Sequence, residues 1–367
     1  MKFASRMNVI DSSGIRKIFD LAQNMKNPVN LSIGQPDYDV PVEVKSTAVR
    51  AMFEGQNKYT VTQGIAELRE KIKTRVESEK NCSVEDVFIT SGVSGGILLS
   101  FLAMLNAGDE LIVPDPYFVM YKHLSRLIGA VPIYLELEKD FSYDIDKLKK
   151  LITPKTKMIV LNSPANPTGV LNTPEELKAI AEIADKHGIL VISDEIYDAF
   201  VYEKEYRSIA HYYPNTLILG GFSKSHAMTG WRIGYAAGPK ELIREMIKLQ
   251  QFTFVCAPSF VQYASLTALD HNTTHFKEAY KIKRDLIYEG IKDRFTVTKP
   301  DGAFYIFPEA PGGNGTAFVK KAIENNLLII PGNVFSEHDT HLRISFAAQN
   351  STIVQGIEIL NRLAQRF

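Results

Sequence analysis

With 367 residues, of which 45% are hydrophobic and 23% charged, the chain has the size and composition of a globular protein of one to three domains. Basic and acidic residues balance at 42 each, so the charge does not favour nucleic acid or an anionic membrane as a partner. No run approaches the roughly 18 apolar residues of a membrane span, and the N-terminus lacks an apolar stretch of signal-peptide character. Cys82 and Cys256 lie far apart without metal-binding spacing, so we expect free thiols and a cytoplasmic location.

The N-terminal part of the chain predicts helices and loops. Apolar residues at helical spacing predict a helix over 13–25, which we expect to pack with the C-terminal lobe. The Gly- and Pro-containing segment 31–41 predicts a loop, followed by a helix over 42–53. A second loop, around Tyr59, leads into a helix that carries Leu68 and Ile72.

From residue 87 onward, short apolar segments alternate with helical patterns. Continuous apolar strands of this kind are typical of a mostly parallel sheet that helices cover on both faces. The predicted strands are 87–90, 110–113, 131–135, 158–161, 190–193, 216–219 and 233–237. The helical segments between them include 95–105, 174–187 and the residues before His211.

The C-terminal part predicts three long helices and then a shorter α/β segment. The helices are 241–251, 259–269 and 274–293; strands follow at 295–299, 303–307, 327–330 and 341–345, with helices at 316–325 and 351–365. We therefore predict an α/β fold in which a large domain, residues 36–270, contains a seven-stranded, mostly parallel sheet. Residues 1–35 and 271–367 would form a smaller α/β domain from both termini.

Chemically distinctive residues follow the predicted strands, where open α/β sheets bind their ligands. The segments are SGVSGG at 91–96, NSPANPTG at 162–169, DEIYD at 194–198 and GGFSKSHAMTGWRIGY at 220–235. Taken singly, each has a plain structural explanation: a tight turn, a helix cap, a local salt bridge or a surface lysine. Together they place a lysine, a carboxylate, an amide and a phenol at one edge of one sheet, next to a turn whose backbone N–H groups can bind phosphate.

This combination predicts a pocket for pyridoxal phosphate. A desolvated lysine such as Lys224 has a lowered pKa and can hold the cofactor's aldehyde as a Schiff base. A carboxylate such as Asp194 keeps the pyridine nitrogen protonated, so that the ring can accept electrons. Backbone N–H groups and an arginine would neutralise the phosphate.

The ordered motifs resemble those of the class I/II aminotransferases of fold type I, the aspartate aminotransferase group. The likeness runs from IGQPDYDVP through DPYFVMY, PDGAFYIFP and PGNVF to LRISFA, and so covers nearly the whole chain. It implies a homodimer with shared active sites that acts on amino acids and 2-oxo acids, with pyridoxal 5′-phosphate as cofactor. We expect no metal, nucleic acid or membrane partner, in line with the residue spacing and the charge balance.

The resemblance also implies individual roles. Lys224 would be the Schiff-base lysine and proton shuttle, Asp194 the partner of the pyridine nitrogen, and Tyr197 a third catalytic group. The remaining cofactor contacts would be Val93, Ser94, Phe118, Asn166, Ser223 and Arg232, with Tyr59 reaching the neighbouring subunit's site. Gly34, Asn166 and Arg343 would bind the substrate, and Arg343 would hold its α-carboxylate.

Several points differ from the family pattern or stay open. Phe118 stands where many relatives have tryptophan, and Ala165 where several have asparagine. No motif identifies the arginine that binds the distal carboxylate in dicarboxylate-specific members, so both aspartate-type and aromatic substrates remain possible. Without the family pattern, Arg343 is also compatible with a surface position on a strand. The histidine-containing segments 271–275 and 338–341 have no further ligand cluster, so we predict no metal there.

Two other functions are compatible with the sequence. A C–S β-lyase would use the same cofactor and would release pyruvate and ammonia from a cysteine conjugate without a 2-oxo acid acceptor. A non-catalytic sensor module that binds the cofactor is the other alternative. We do not expect it, because the family motifs begin within the first few dozen residues and leave no room for a DNA-binding domain.

Overall fold

The computed structural model describes residues 1–23 and 25–367. In this part of the chain the helices are α1 (Gly14–Gln23), α2 (Val42–Phe53), α3 (Ala66–Lys80), α4 (Gly92–Met104), α5 (Val119–Leu127), α6 (Ile145–Leu151), α7 (Pro174–His187), α8 (Lys240–Gln251), α9 (Ser259–Asp270), α10 (Thr274–Ile291), α11 (Gly315–Glu324) and α12 (Asn350–Ala364). The strands are β1 (Val29–Asn30), β2 (Asp86–Thr90), β3 (Glu110–Asp115), β4 (Val131–Glu136), β5 (Thr156–Asn162), β6 (Leu190–Asp194), β7 (Thr216–Gly221), β8 (Gly234–Gly238), β9 (Tyr305–Ile306), β10 (Leu327–Leu328), β11 (Ile330–Pro331) and β12 (Leu342–Ser345).

A seven-stranded sheet has the order β2-β8-β7-β6-β5-β3-β4. All neighbours are parallel except β8, which is antiparallel to both β2 and β7. Successive residues of β5 contribute to different apolar clusters, Ile159 to one face of the sheet and Val160 to the other. Burial on both faces explains why these strands are continuously apolar. The predicted α/β fold with a seven-stranded, mostly parallel sheet is confirmed.

Smaller sheets contain the C-terminal strands. β11, β12 and β9 form an antiparallel sheet, and β1 pairs in parallel with β10, so residues near both termini meet. The helix α1 contacts β11. The proposed domain boundaries near residues 35 and 270 remain a prediction. No helix within the described residues combines the length and apolarity needed to cross a bilayer.

Three predicted elements differ from the structure. Residues 295–299 are not a strand: the N–H of Phe295 donates to Ile291 O at the end of α10, and its ring is buried in an apolar cluster. The predicted strand 327–330 is divided into β10 and β11, which belong to different sheets. The segment before His211 contains a single 3-10 turn, Ile209–His211, instead of a longer helix.

Helix ends follow local signals where those signals are strong. At the start of α7 the Thr173 hydroxyl accepts from the N–H of Glu176, whose carboxylate accepts from the N–H of Thr173. Gly188, at φ 63°, ends that helix in the left-handed region. The predicted helix over 13–25 corresponds to Gly14–Gln23, and residue 24 lies outside the described residues.

Candidate active site

The carboxyl ends of the parallel strands surround a cavity of about 600 Å³. β5 ends at Asn162, β6 ends at Asp194, and β7 is followed closely by Lys224. Eleven of the twelve predicted site residues line this cavity: Gly34, Val93, Ser94, Phe118, Asn166, Asp194, Tyr197, Ser223, Lys224, Arg232 and Arg343. Tyr59 does not line it and is 84% exposed.

Lys224 places an amine inside the cavity. Its Nζ donates a hydrogen bond of 2.6 Å to the carbonyl oxygen of Gly34. Enclosure away from water, with a smaller contribution from the positive charges of Arg343 and Arg232, lowers the pKa of Lys224 to about 8. An amine with this pKa is partly deprotonated near neutral pH and can act as a nucleophile or as a base.

Asp194 is a buried carboxylate at the end of β6. The Tyr121 hydroxyl donates to its Oδ2 at 2.6 Å, and the N–H of Ile196 donates to its Oδ1 at 3.3 Å. Burial raises the pKa of Asp194 to about 6, although both hydrogen bonds and the charge of Lys224 favour its ionised form. A cation in the cavity would stabilise this carboxylate further.

Asn162 is the last residue of β5, and Asn166 lies in the loop that follows. The Asn162 side chain donates to the Asp194 carbonyl oxygen at 2.9 Å and accepts from the Asn166 N–H at 2.8 Å. These bonds join the loop to β6 and hold Asn166 at the cavity. The sequence interpretation missed Asn162, although it lies in the same NSPANPTG segment.

Arg343 lies on β12 and is 1% exposed, so the alternative of a surface position on a strand is wrong. Its guanidinium donates to Ser32 O at 2.7 Å and to Asn166 Oδ1 at 3.2 Å. The rings of Tyr305 and Phe335 lie 4.6 Å and 4.5 Å from the guanidinium carbon. Its buried Nε has no hydrogen-bond partner among the described residues. A buried guanidinium with an unused donor suits a carboxylate ligand.

The turn between β2 and α4 lies beside Arg232. Gly92 has φ +66°, and a Cβ there would come within 2.7 Å of Arg232 Nη2. A Cβ on Gly234 would come within 2.8 Å of the Gly92 carbonyl carbon and 2.9 Å of Val93 N. Close approach of these backbones therefore requires glycine. The N–H groups at the start of α4 and the Arg232 guanidinium together are suited to binding an anion.

Tyrosine hydroxyls connect the remaining parts of the site, and the sequence interpretation assigned only one of them. The Tyr197 and Tyr305 hydroxyls are 2.9 Å apart. The Tyr38 hydroxyl donates to Lys224 O at 2.9 Å and fixes the loop that carries the lysine. Tyr121 and Tyr305 do lie in the DPYFVMY and PDGAFYIFP motifs, but no local pattern indicates which cavity group each one contacts.

The fold and this site define an α/β protein with a lysine of lowered pKa at the edge of its main sheet. The sequence profile of the aminotransferase class I and II family matches residues 26–359, and the chain belongs to this family. It is 39% identical to a probable aspartate aminotransferase of Methanocaldococcus jannaschii, over 98% of this chain and 99% of that protein. It is 32% identical to aromatic-amino-acid aminotransferase 2 of Thermococcus litoralis, over 99% of this chain and 98% of that protein.

Solved structures agree with this assignment. A single mutant of Thermus thermophilus aspartate aminotransferase superimposes with a TM-score of 0.95 at 33% identity, covering 99% of this chain and all of that chain. The protein is therefore an aminotransferase.

Proposed function

We propose that the enzyme moves an amino group from an L-amino acid to a 2-oxo acid, with pyridoxal 5′-phosphate bound covalently to Lys224. One observation carries the proposal: the amine of Lys224, with its pKa lowered to about 8, shares a cavity with the Asp194 carboxylate and the Arg343 guanidinium. When bound, the cofactor supplies an electron sink that stabilises negative charge at the substrate Cα.

The residues of the cavity fit this cofactor. The glycine-dependent turn at Gly92 and the Arg232 guanidinium suit its phosphate, together with Ser223 and the N–H groups of Val93 and Ser94. Asp194 suits its ring nitrogen, because the buried carboxylate is stabilised by a positive partner. Asn166 and Tyr197 would contact the ring hydroxyl, and Phe118 would pack against the ring face.

Lys224 then acts as both base and acid. Its Nζ would take a proton from the substrate Cα and, once protonated, would donate a proton again to complete the transfer. A pKa near 8 suits both directions of transfer at neutral pH. The hydrogen bond to Gly34 O and the fixed loop at Tyr38 keep the amine near this path.

Arg343 orients the substrate by binding its α-carboxylate. The hydrogen bonds to Ser32 and Asn166 and the two flanking rings hold the guanidinium in place, while its Nε remains available. Gly34 and Asn166 line the same cavity as Arg343. Because relatives carry the names of aspartate and of aromatic aminotransferases, we propose acidic and aromatic amino acids as the donors.

We propose a homodimer in which Tyr59 reaches the cofactor phosphate of the neighbouring subunit. Tyr59 is 84% exposed, and the other exposed apolar side chains include Phe53, Val61 and Phe252. Mixing inactive Lys224→Ala with inactive Tyr59→Ala should restore activity, because one of the two sites in a mixed dimer has both residues intact. Absence of restored activity, with mixed dimers verified by mass, would contradict a shared site.

The function is tested with the purified protein and the mutant Lys224→Ala. We expect the visible absorbance of lysine-bound cofactor in the wild type and its loss in the mutant, together with loss of transamination. The matched control Lys240→Ala removes a lysine at the start of α8, outside the cavity, and should change neither. A wild-type protein that gains no absorbance band with added cofactor would overturn the proposal.

The C–S β-lyase is distinguished by its products. Incubation with cystathionine, with no 2-oxo acid present, should give no sustained release of pyruvate and ammonia. Sustained release, without transamination of any amino acid, would favour the lyase.

A further inference from the structure

We propose that Tyr305 is a positioning residue, which donates a hydrogen bond to the Tyr197 hydroxyl so that the proton of Tyr197 faces the ring hydroxyl of the cofactor. This inference rests on the proposed function, in which Tyr197 contacts that ring hydroxyl. Tyr305 belongs to the PDGAFYIFP motif, but the motif itself assigns it no role. The role comes from a contact between two tyrosines that lie 108 residues apart in the chain.

The position of Tyr305 follows from strand pairing. It begins β9 and is the register partner of Ser345 on β12, the strand that also carries Arg343. The residue is 1% exposed and lines the cavity. A Cβ on Gly34 would come within 2.4 Å of the Tyr305 hydroxyl oxygen, so the loop at Gly34 lies directly against that oxygen. The hydroxyl is therefore held between Gly34 and Tyr197.

The two hydroxyls leave one proton for a ligand. Each tyrosine hydroxyl has one proton to donate. The Tyr197 and Tyr305 oxygens are 2.9 Å apart, and within the described residues this is the only hydrogen bond that either hydroxyl makes. One of the two protons is used in this bond, and the other has no acceptor among these residues. An unused donor at a buried site is costly, so an acceptor on a bound ligand would stabilise it.

The charges around the pair favour Tyr305 as its donor. Burial raises the pKa of both tyrosines, and that of Tyr197 well above its ordinary value. The Arg343 guanidinium opposes the rise in both, and its carbon lies 4.6 Å from the Tyr305 ring. Near Tyr197 the Asp194 carboxylate adds to the rise. The hydroxyl with the less raised pKa is the better donor, so the Tyr305 proton goes to the Tyr197 oxygen and the Tyr197 proton stays free for the ligand.

Ring packing holds Tyr197 in place independently of this hydrogen bond. Its ring meets those of Phe304 and Tyr305 edge to face, with centroids 5.3 Å and 5.6 Å away. The rings of Phe304 and Tyr305 also contact each other, with centroids 4.9 Å apart. The mutant Tyr305→Phe keeps all three rings, so it removes the hydrogen bond without removing the packing.

The hydrogen bond would act on the acidity of the lysine-bound cofactor. When the nitrogen that joins Lys224 to the cofactor loses its proton, the ring oxygen keeps a negative charge that no neighbouring proton offsets. A donor to that oxygen stabilises the deprotonated state most, and so lowers the pKa of the nitrogen. Tyr305 strengthens Tyr197 as this donor, because a hydroxyl that accepts a hydrogen bond donates a stronger one.

The test is a spectroscopic pH titration of the cofactor-loaded protein with no substrate present. The variants are Tyr305→Phe, Tyr197→Phe and the double mutant, and the KM for an L-amino acid donor is measured alongside. Tyr213→Phe is the matched control. Tyr213 is buried and its hydroxyl donates to Ile189 O at 2.9 Å, but it does not line the cavity.

We expect Tyr305→Phe to raise the pKa of the lysine-bound cofactor by about 0.3 to 1 pH unit, up to the effect of losing one neutral hydrogen bond. Tyr197→Phe should raise it at least as far. The double mutant should titrate like Tyr197→Phe alone, because Tyr305 acts only through Tyr197. Tyr213→Phe should titrate like the wild type.

The outcomes separate this inference from the proposed function. An unchanged titration in Tyr305→Phe, or a shift of the same size in the Tyr197→Phe background, would overturn the role of Tyr305 and leave the proposed function intact. A higher KM in Tyr305→Phe without a spectral shift would do the same, since Tyr305 would then contact the substrate directly. A wild type that forms no lysine-bound absorbance with added cofactor would overturn the proposed function itself.

Discussion

The hydroxyl of Tyr121 donates a 2.6 Å hydrogen bond to Oδ2 of Asp194, and both groups are buried. Tyr121 thus favours the ionised form of a carboxylate whose pKa burial raises to about 6. Since that carboxylate is the proposed partner of the cofactor ring, Tyr121 acts on the cofactor through Asp194 and is a positioning residue.

We therefore expect Tyr121→Phe to weaken cofactor binding by about tenfold, the usual effect of one hydrogen bond to a charged group. Removal of the donor should also raise the pKa of Asp194 and move the acidic limb of the kcat/KM profile to higher pH. Equilibrium dialysis of pyridoxal phosphate and a pH–rate profile measure the two effects. Tyr212→Phe is the control, because Tyr212 does not line the cavity. An acidic limb that does not move in Tyr121→Phe would mean that Tyr121 contributes packing and does not influence the pKa of Asp194.

The lowered pKa of Lys224 predicts a pH-dependent stability of the cofactor-free protein. Because its pKa falls from 10.5 in the unfolded chain to about 8 in the folded protein, the unfolded state binds more protons between these values. The cost of the buried ammonium is thus fully present below pH 8 and is lost as the pH rises towards 10.5.

Lys224→Met removes this group, so the cofactor-free mutant should melt at a higher temperature than the wild type at pH 7. The difference in Tm should shrink as the pH is raised to about 10. Thermal denaturation across this range is the measurement. A difference in Tm that stays constant with pH would mean that packing, rather than titration of Lys224, accounts for it.

Arg343 and Arg284 are both 1% exposed, which allows a matched comparison of two buried arginines. Arg343→Gln should lower kcat/KM for acidic and aromatic amino acids alike by about 100-fold or more, because the α-carboxylate loses a bidentate partner. The cofactor absorbance should remain. Arg284 pairs instead with Glu203 and Asp285, away from the cavity.

Arg284→Gln should consequently lower the melting temperature and leave kcat/KM of the folded enzyme nearly unchanged. If both mutants lost kcat/KM to a similar extent, Arg343 would act by stabilising the fold and not by binding the substrate.

Lys80 belongs to a buried ion-pair cluster that does not line the cavity. Its Nζ lies 2.7 Å from carboxylate oxygens of both Glu195 and Asp198, and the side chains of Lys80 and Glu195 are 2% and 0% exposed. Lys80→Met leaves these carboxylates without their cation and should destabilise the protein by about 3–5 kcal/mol. Chemical denaturation measures the change.

The exposed pair Lys149–Asp146 provides the contrast, because Lys149→Met should change the stability by less than about 0.5 kcal/mol. If Lys80→Met changed the stability as little as Lys149→Met, water would have to solvate the carboxylates of the buried cluster. The double mutant Lys80→Met with Glu195→Gln should recover part of the loss, since one unpaired charge is then removed.

Much of the fold and site could be predicted from local patterns. The central strands of the main sheet were predictable because burial on both faces makes them continuously apolar. The helix over 174–187 was predictable because Thr173, Pro174 and Gly188 give strong start and stop signals. The strand predicted at 295–299 was wrong because apolar residues after a helix can fill a core without joining a sheet.

The sequence by itself determined which chemistry this protein carries. Asp194 ends one strand of the main sheet, and Asn166 and Lys224 follow two others; because these three strands are parallel, their carboxyl ends meet at the same edge. The tertiary structure alone decided which groups from distant parts of the chain complete the site. Arg343 meets Asn166 across 177 residues, and Tyr121 meets Asp194 across 73. No local pattern encodes such contacts, because they arise from the packing of elements that lie far apart in the chain.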